Sequence, residues 1–162
     1  MDHEIFTLAQ IVGHALQTQQ KKLVTAESCT GGWISQALTD VSGSSLWFDR
    51  GFVTYSNAAK IQMLGVNPLT LELYGAVSAE TVSEMVTGAL IHSDADFALA
   101  VTGIAGPSGG TKQKPVGTVF VAWTSRLNGY KVLQENLSGD RQEIRRQTVV
   151  IALKGLADSI KA

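Results

Sequence analysis

The sequence predicts an α/β fold: a single layered α/β/α domain built on a mixed β-sheet. Three observations predict it. Segments of helical period alternate with short β-rich segments early in the chain. Phe97–Val101 (FALAV) is a continuous apolar run, the mark of a strand buried on both faces. Asn128-Gly129 is a strong turn signal, so the strand before it should return as an antiparallel hairpin. At 162 residues the length is that of one domain. Such a chain can bury a core without disulfides or a structural metal.

The elements follow in order. Ile5, Leu8, Val12 and Leu16 share one face of a first helix. Leu23–Ala26 reads as a short strand running into Glu27-Ser28-Cys29-Thr30-Gly31-Gly32, and a helix follows from Trp33 to Thr39, stopping near Gly43. Gly51–Tyr55 is β-branched and aromatic, hence a strand. Ser56 or Asn57 can cap the next helix, which carries Lys60, Ile61, Met63 and Leu64. Pro68 opens a short helix that ends before Gly75. Ser78 caps a longer one with Val82, Met85, Val86 and Ala89 on one face. The buried strand then feeds a loop, Thr102–Pro115, containing Gly103, Gly106, Gly109 and Gly110. Val116–Trp123 and Tyr130–Leu137 form the hairpin. Asp140 with Glu143 has the spacing of a capping box, and the last helix runs from Arg141 nearly to the end. With no linker, low-complexity tract or internal repeat, residues 1–162 read as one domain.

Composition excludes several functions. A net charge of −1 gives bulk nucleic acid and anionic membranes no purchase, and 44% hydrophobic residues argue against disorder. Met1–Gln10 carries Asp2 and Glu4 where a signal peptide needs Lys or Arg. No apolar run approaches the roughly 20 residues of a membrane helix. The single cysteine, Cys29, allows no intramolecular disulfide. A cytoplasmic protein is expected, which makes Asn136-Leu137-Ser138 a chance match to a glycosylation acceptor. No metal is expected: His3, His14 and His92 are scattered, and Asp94 and Asp96 read as solvated turn residues. No cofactor is expected either. The G-x-G-x-x-G spacing is absent, and Gly109-Gly110-Thr111-Lys112 lacks the ending of a P-loop. Trp47 and Phe48 are large aromatics directly after Gly-Ser-Ser, a position that predicts cover by a second copy in a homodimer or higher homo-oligomer.

Four places can carry chemistry. Ser28 sits at a strand end before two glycines and a helix start, where free N–H groups can hold an oxyanion. The same string also fits a plain helix cap. Cys29 is the intrinsically better nucleophile, but adjacent residues leaving a strand point in opposite directions, so only one of the pair should face a site. Lys60 lies in the first turn of its helix, where the dipole disfavours a cation and burial would lower its pKa towards that of a usable base. A solvated surface lysine is the reading that the usual exposure of Lys favours. Arg141 and Arg145 share a helix face and suit a phosphate monoester, or a solvated face with Glu143 offsetting the charge. Thr102 and Gly103 lie beyond the carboxyl end of the buried strand, where α/β proteins bind ligands.

Six strings together resemble one family: T-A-E-S-C-T-G-G at 25–32, G-F-V-T-Y-S-N-A-A-K at 51–60, G-A-V-S at 75–78, T-G-I-A-G-P-S-G-G at 102–110, K-P-V-G-T-V at 114–119 and G-D-R-Q-E-I-R-R-Q at 139–147. They resemble the nicotinamide-nucleotide amidases, which also form the C-terminal domain of the competence- and damage-inducible protein CinA. The likeness runs from about residue 6 to the last helix, and a stand-alone form is expected. The resemblance implies hydrolysis of nicotinamide mononucleotide (NMN) to nicotinate mononucleotide and ammonia in pyridine-nucleotide recycling, with Ser28 as nucleophile and Lys60 as its base. It further implies Tyr55 steering the lysine, and Thr30, Gly31 and Gly32 as oxyanion donors. Thr102, Gly103, Arg141 and Arg145 fall to the substrate, with Arg145 on its phosphate or nucleotide. Two alternatives remain: a catalytically weak paralogue that only binds pyridine nucleotide, and a competence- or damage-related interaction domain.

Overall fold

The computed structural model describes residues 1–161. The first strand and helices are α1 (His3–Gln19), β1 (Leu23–Glu27), α2 (Trp33–Thr39), β2 (Phe48–Val53), α3 (Asn57–Leu64), α4 (Pro68–Tyr74) and α5 (Ala79–Ile91). β3 (Phe97–Gly103), β4 (Thr118–Ser125), β5 (Lys131–Asn136) and α6 (Arg141–Lys161) complete the order. The five strands form one sheet in the order β2-β1-β3-β4-β5. β1 is parallel to both β2 and β3, and the β3–β4 and β4–β5 pairs are antiparallel, so the sheet is mixed as expected.

Strand alternation assigns the two faces. Leu23, Leu99, Val101, Val121 and Trp123 point into a core shared with α1, α2 and α6. Val24, Ala26, Ala98, Ala100, Phe120 and Ala122 point into a second core under α3, α4 and α5. That period of two, with both faces buried, is why β3 and β4 read as nearly unbroken apolar runs. Caps hold the helix starts: Asp2, Ser56, Asn67 and Ser78 each accept an N–H of the first turn, and Asp140 accepts from Glu143.

Three expectations need correction. The strand expected at Gly51–Tyr55 begins at Phe48 and ends at Val53, because its pairing with β1 starts at Leu23↔Phe48 and the carbonyls of Thr54 and Tyr55 turn to a lysine instead. The strand expected from Val116 starts at Thr118. Gly117 has φ 96°, and Thr118 N–H closes a turn onto Pro115 O. A short 3-10 turn at Ser44–Leu46 delivers Trp47 into the core, where it is 1% exposed. Its indole fills the space left by Gly13, whose Cβ, if present, would lie 2.6 Å from Cζ2. Trp47 is therefore covered by its own chain and offers no face to a second copy.

Candidate active site

β1 ends in the middle of the sheet, between β2 and β3, and its last residues point opposite ways. Glu27 continues the face of Leu23 and Thr25 towards α2. Its buried carboxylate accepts four hydrogen bonds. Oε1 takes the Thr30 hydroxyl at 2.6 Å and Ile34 N–H at 2.9 Å. Oε2 takes Ser35 N–H at 2.9 Å and the Ser35 hydroxyl at 2.8 Å. The helix α2 has glycine at its N-cap and no side-chain cap of its own, so Glu27 satisfies its first N–H groups from the strand. Sequence reasoning passed over Glu27. The signal available was a carboxylate closing a strand just before a glycine turn and a helix start.

Ser28 faces the other side, towards α3. Lys60 Nζ lies 2.9 Å from Ser28 Oγ, 2.9 Å from Thr54 O and 3.2 Å from Tyr55 O. Ser28 is 8% exposed and Lys60 1%. A lysine in the first turn points its side chain back past the helix start, which is where β2 hands over to α3. Burial holds the Lys60 amine below the ordinary lysine value, against a smaller opposing effect of the neighbouring Cys29. Among the described residues no carboxylate pairs with it. The amine donates in all three contacts, to the two carbonyls and to the serine hydroxyl oxygen.

A cavity of about 250 Å³ opens over this pair, lined by Ser28, Lys60, Thr102, Arg141 and the loop residues Gly103, Ile104, Ala105, Gly106, Ser108 and Gly109. Both Ser28 and Cys29 line it. The expectation that only one would do so fails because the strand ends at Glu27 and alternation ends with it. Burial pushes the Cys29 thiol up to about 12, so it stays protonated and a poor nucleophile.

The other expected residues separate into two groups. On the cavity side, the Arg141 guanidinium bridges Gly106 O at 2.7 Å and the Tyr55 hydroxyl at 3.0 Å. Tyr55 meets Lys60 through its carbonyl, while its ring is exposed. The Thr102 hydroxyl donates to Ala76 O at 2.8 Å, leaving its lone pairs free to accept. Gly103 allows close passage: a Cβ there would come within 3.2 Å of Cys29 Sγ. No backbone acceptor among the described residues takes the N–H of Ala105, Gly106, Ser108 or Gly109.

Behind the cavity, the Arg145 guanidinium donates to Cys29 O at 3.1 Å and Thr30 O at 3.0 Å, and sits 5.5 Å from the Trp33 ring centre. It clamps the serine turn instead of reaching into the cavity. Thr30, Gly31 and Gly32 form that turn. Gly31 N–H is spent on Ser28 O at 3.1 Å, and both glycines have positive φ, 61° and 100°, which explains why they are glycine. Among the described residues no three His, Cys, Asp or Glu side chains gather as a metal site would, and no helix is long and apolar enough to cross a membrane.

Residues 5–160 match the family described as the CinA C-terminal domain. The chain is 50% identical over 155 residues to the nicotinamide-nucleotide amidohydrolase PncC of Escherichia coli (strain K12), covering 96% of this chain and 94% of that protein. It is 51% identical over 154 residues to the protein of the same name from Pseudomonas putida, covering 94% of each. The crystal structure of the competence/damage inducible protein CihA from Agrobacterium tumefaciens superposes with a TM-score of 0.97 at 45% identity, covering 100% of this chain and 98% of that one.

Proposed function

The chain belongs to the CinA C-terminal domain family, and on that premise we propose that it is an amidohydrolase that converts NMN to nicotinate mononucleotide and ammonia, with Ser28 as nucleophile and Lys60 as general base and acid. One observation carries the mechanism: a buried amine with no anionic partner among the described residues, 2.9 Å from a serine hydroxyl. The names of the half-identical relatives supply the substrate class.

Ser28 Oγ attacks the carboxamide carbon as its proton passes to Lys60 Nζ. The tetrahedral oxyanion calls for N–H donors beside Ser28. The C–N bond breaks, Lys60 returns the proton to the departing nitrogen, and ammonia leaves an ester on Ser28. Water then attacks the ester carbon, its proton going to Lys60 and onward to Ser28 Oγ as the C–O bond breaks. One water is consumed, and the carboxylate product is released. Because Arg141 reaches the cavity and Arg145 does not, the phosphate falls to Arg141 with the free N–H groups of the 105–109 loop. The cavity, about 250 Å³, lies just below the usual ligand pockets, which run from roughly 300 Å³. It suits the ring and carboxamide, with the phosphate at the rim. The test is ammonia release from NMN by the purified protein. Release that Ser28→Ala abolishes is expected. Tight binding of NMN without release overturns the proposal.

A further inference from the structure

We infer that Glu27 is a positioning residue for the nucleophile: its buried carboxylate fixes the turn that aims Ser28 at Lys60. The inference rests on the Ser28–Lys60 reading above. Glu27 is fully buried, and among the described residues no lysine or arginine pairs with it. Such a buried polar group is costly unless donors surround it, and all four of its bonds come from the segment directly after the nucleophile. Oε1 alone ties Thr30 in the turn to Ile34 in α2. The carboxyl group presents two oxygens to these four donors, whereas glutamine presents one acceptor oxygen and one NH₂. That NH₂ would face Ile34 or Ser35 N–H, donor against donor, and the turn would have to shift.

Glu27 also reaches the other half of the pair through its backbone. Its carbonyl accepts Thr54 N–H at 2.8 Å, and Thr54 O holds Lys60 Nζ. The residue therefore lies between the two reacting groups, its side chain governing the serine and its main chain the lysine. Arg145 takes the acceptors of the same turn, at Cys29 O and Thr30 O, while Glu27 takes its donors. Helix α2 is thereby bound to the end of β1 by a side chain that never touches the cavity.

The experiment compares the parent with Glu27→Gln, Thr30→Val and Ser28→Ala. It reads kcat and KM for NMN, the rate of covalent labelling by a fluorophosphonate, and the melting temperature. Thr30→Val removes only the hydroxyl bond and leaves the bonds from Ile34 and Ser35, so it serves if Glu27→Gln fails to fold. A displacement near 1 Å can cost about 100-fold in rate. Both variants are therefore expected to lose roughly 10- to 100-fold in kcat and in labelling rate, with KM within about 2-fold of the parent. A folded variant with lowered melting temperature but unchanged kcat and labelling rate shows that Glu27 only stabilises the fold, and overturns the inference. Labelling and turnover that persist in Ser28→Ala would sink the serine reading itself, a separate outcome.

Discussion

At the scale of single residues, the site depends on one amine kept out of water. The folded value of Lys60 lies below the ordinary one because burial penalises the ammonium. As a base it should therefore act below the ordinary lysine value of about 10.4, and kcat/KM should rise with pH through an ionisation below that value. Stability follows the same sign. Between the folded and the unfolded values the unfolded chain binds the extra proton, so stability rises with pH across that window, by at most about 1.4 kcal/mol per pH unit. Urea unfolding across that alkaline window should show this rise in the parent and not in Lys60→Met. Lys60→Arg keeps a cation but cannot lose its proton. Its turnover should fall to that of Lys60→Ala, and substantial turnover would reduce Lys60 to an electrostatic contact. Cys29, held as a thiol at about 12, should be dispensable: Cys29→Ser is expected to keep most of the rate.

At the scale of elements, α6 carries two arginines one turn apart with different tasks. Arg141 reaches the cavity, and Arg145 seals the turn beneath it. Arg141→Ala should raise KM for NMN by roughly 10- to 100-fold, the value of one charge-assisted contact of about 1.5–3 kcal/mol, with little change in melting temperature. It should also erase any preference for the mononucleotide over its unphosphorylated riboside. Arg145→Ala should lower the melting temperature and kcat together. The opposite assignment, KM through Arg145 and stability through Arg141, would return the phosphate to Arg145. This difference marks where sequence reasoning runs out. Caps, the glycine turn and the buried strand are local patterns and could be read, whereas Ser28 and Lys60 are singled out from a helix cap and a surface lysine only by the family resemblance. Which arginine of a helix face meets Cys29 O, 116 residues away in sequence, depends on how α6 crosses the sheet, and no spacing encodes that. Trp47 lies in the core because Gly13 leaves room for it, again a contact between distant segments. Glu27 was missed because its partners lie in the next element.

At the scale of the whole molecule, the topology decides where a ligand sits. From the end of β1 the chain crosses by α2 on one face to reach β2, then returns by α3, α4 and α5 on the other to reach β3. The crossovers leave on opposite faces from the neighbouring ends of β1 and β2, and such switch points open a crevice beyond the strand ends. The cavity lined by Ser28, Lys60 and Thr102 lies there. A second, more apolar hollow lies at the other end of the sheet, between Phe97, Trp123, Asn128 and Ser159, and it brings no nucleophile–base pair. The two ends can be told apart in solution. Ser28→Ala should bind NMN without turning it over, so saturating ligand should stabilise it by mass action. At about 100 times Kd the gain is roughly 2.7 kcal/mol, or about 5–10 °C in melting temperature for a chain of this size. Hydrogen exchange should then show new protection in three segments far apart in sequence, 28–33, 54–60 and 102–109, and none at 94–97 or 126–131. Protection centred on the Asn128 end would move the binding site across the sheet and leave the Ser28–Lys60 pair without a substrate.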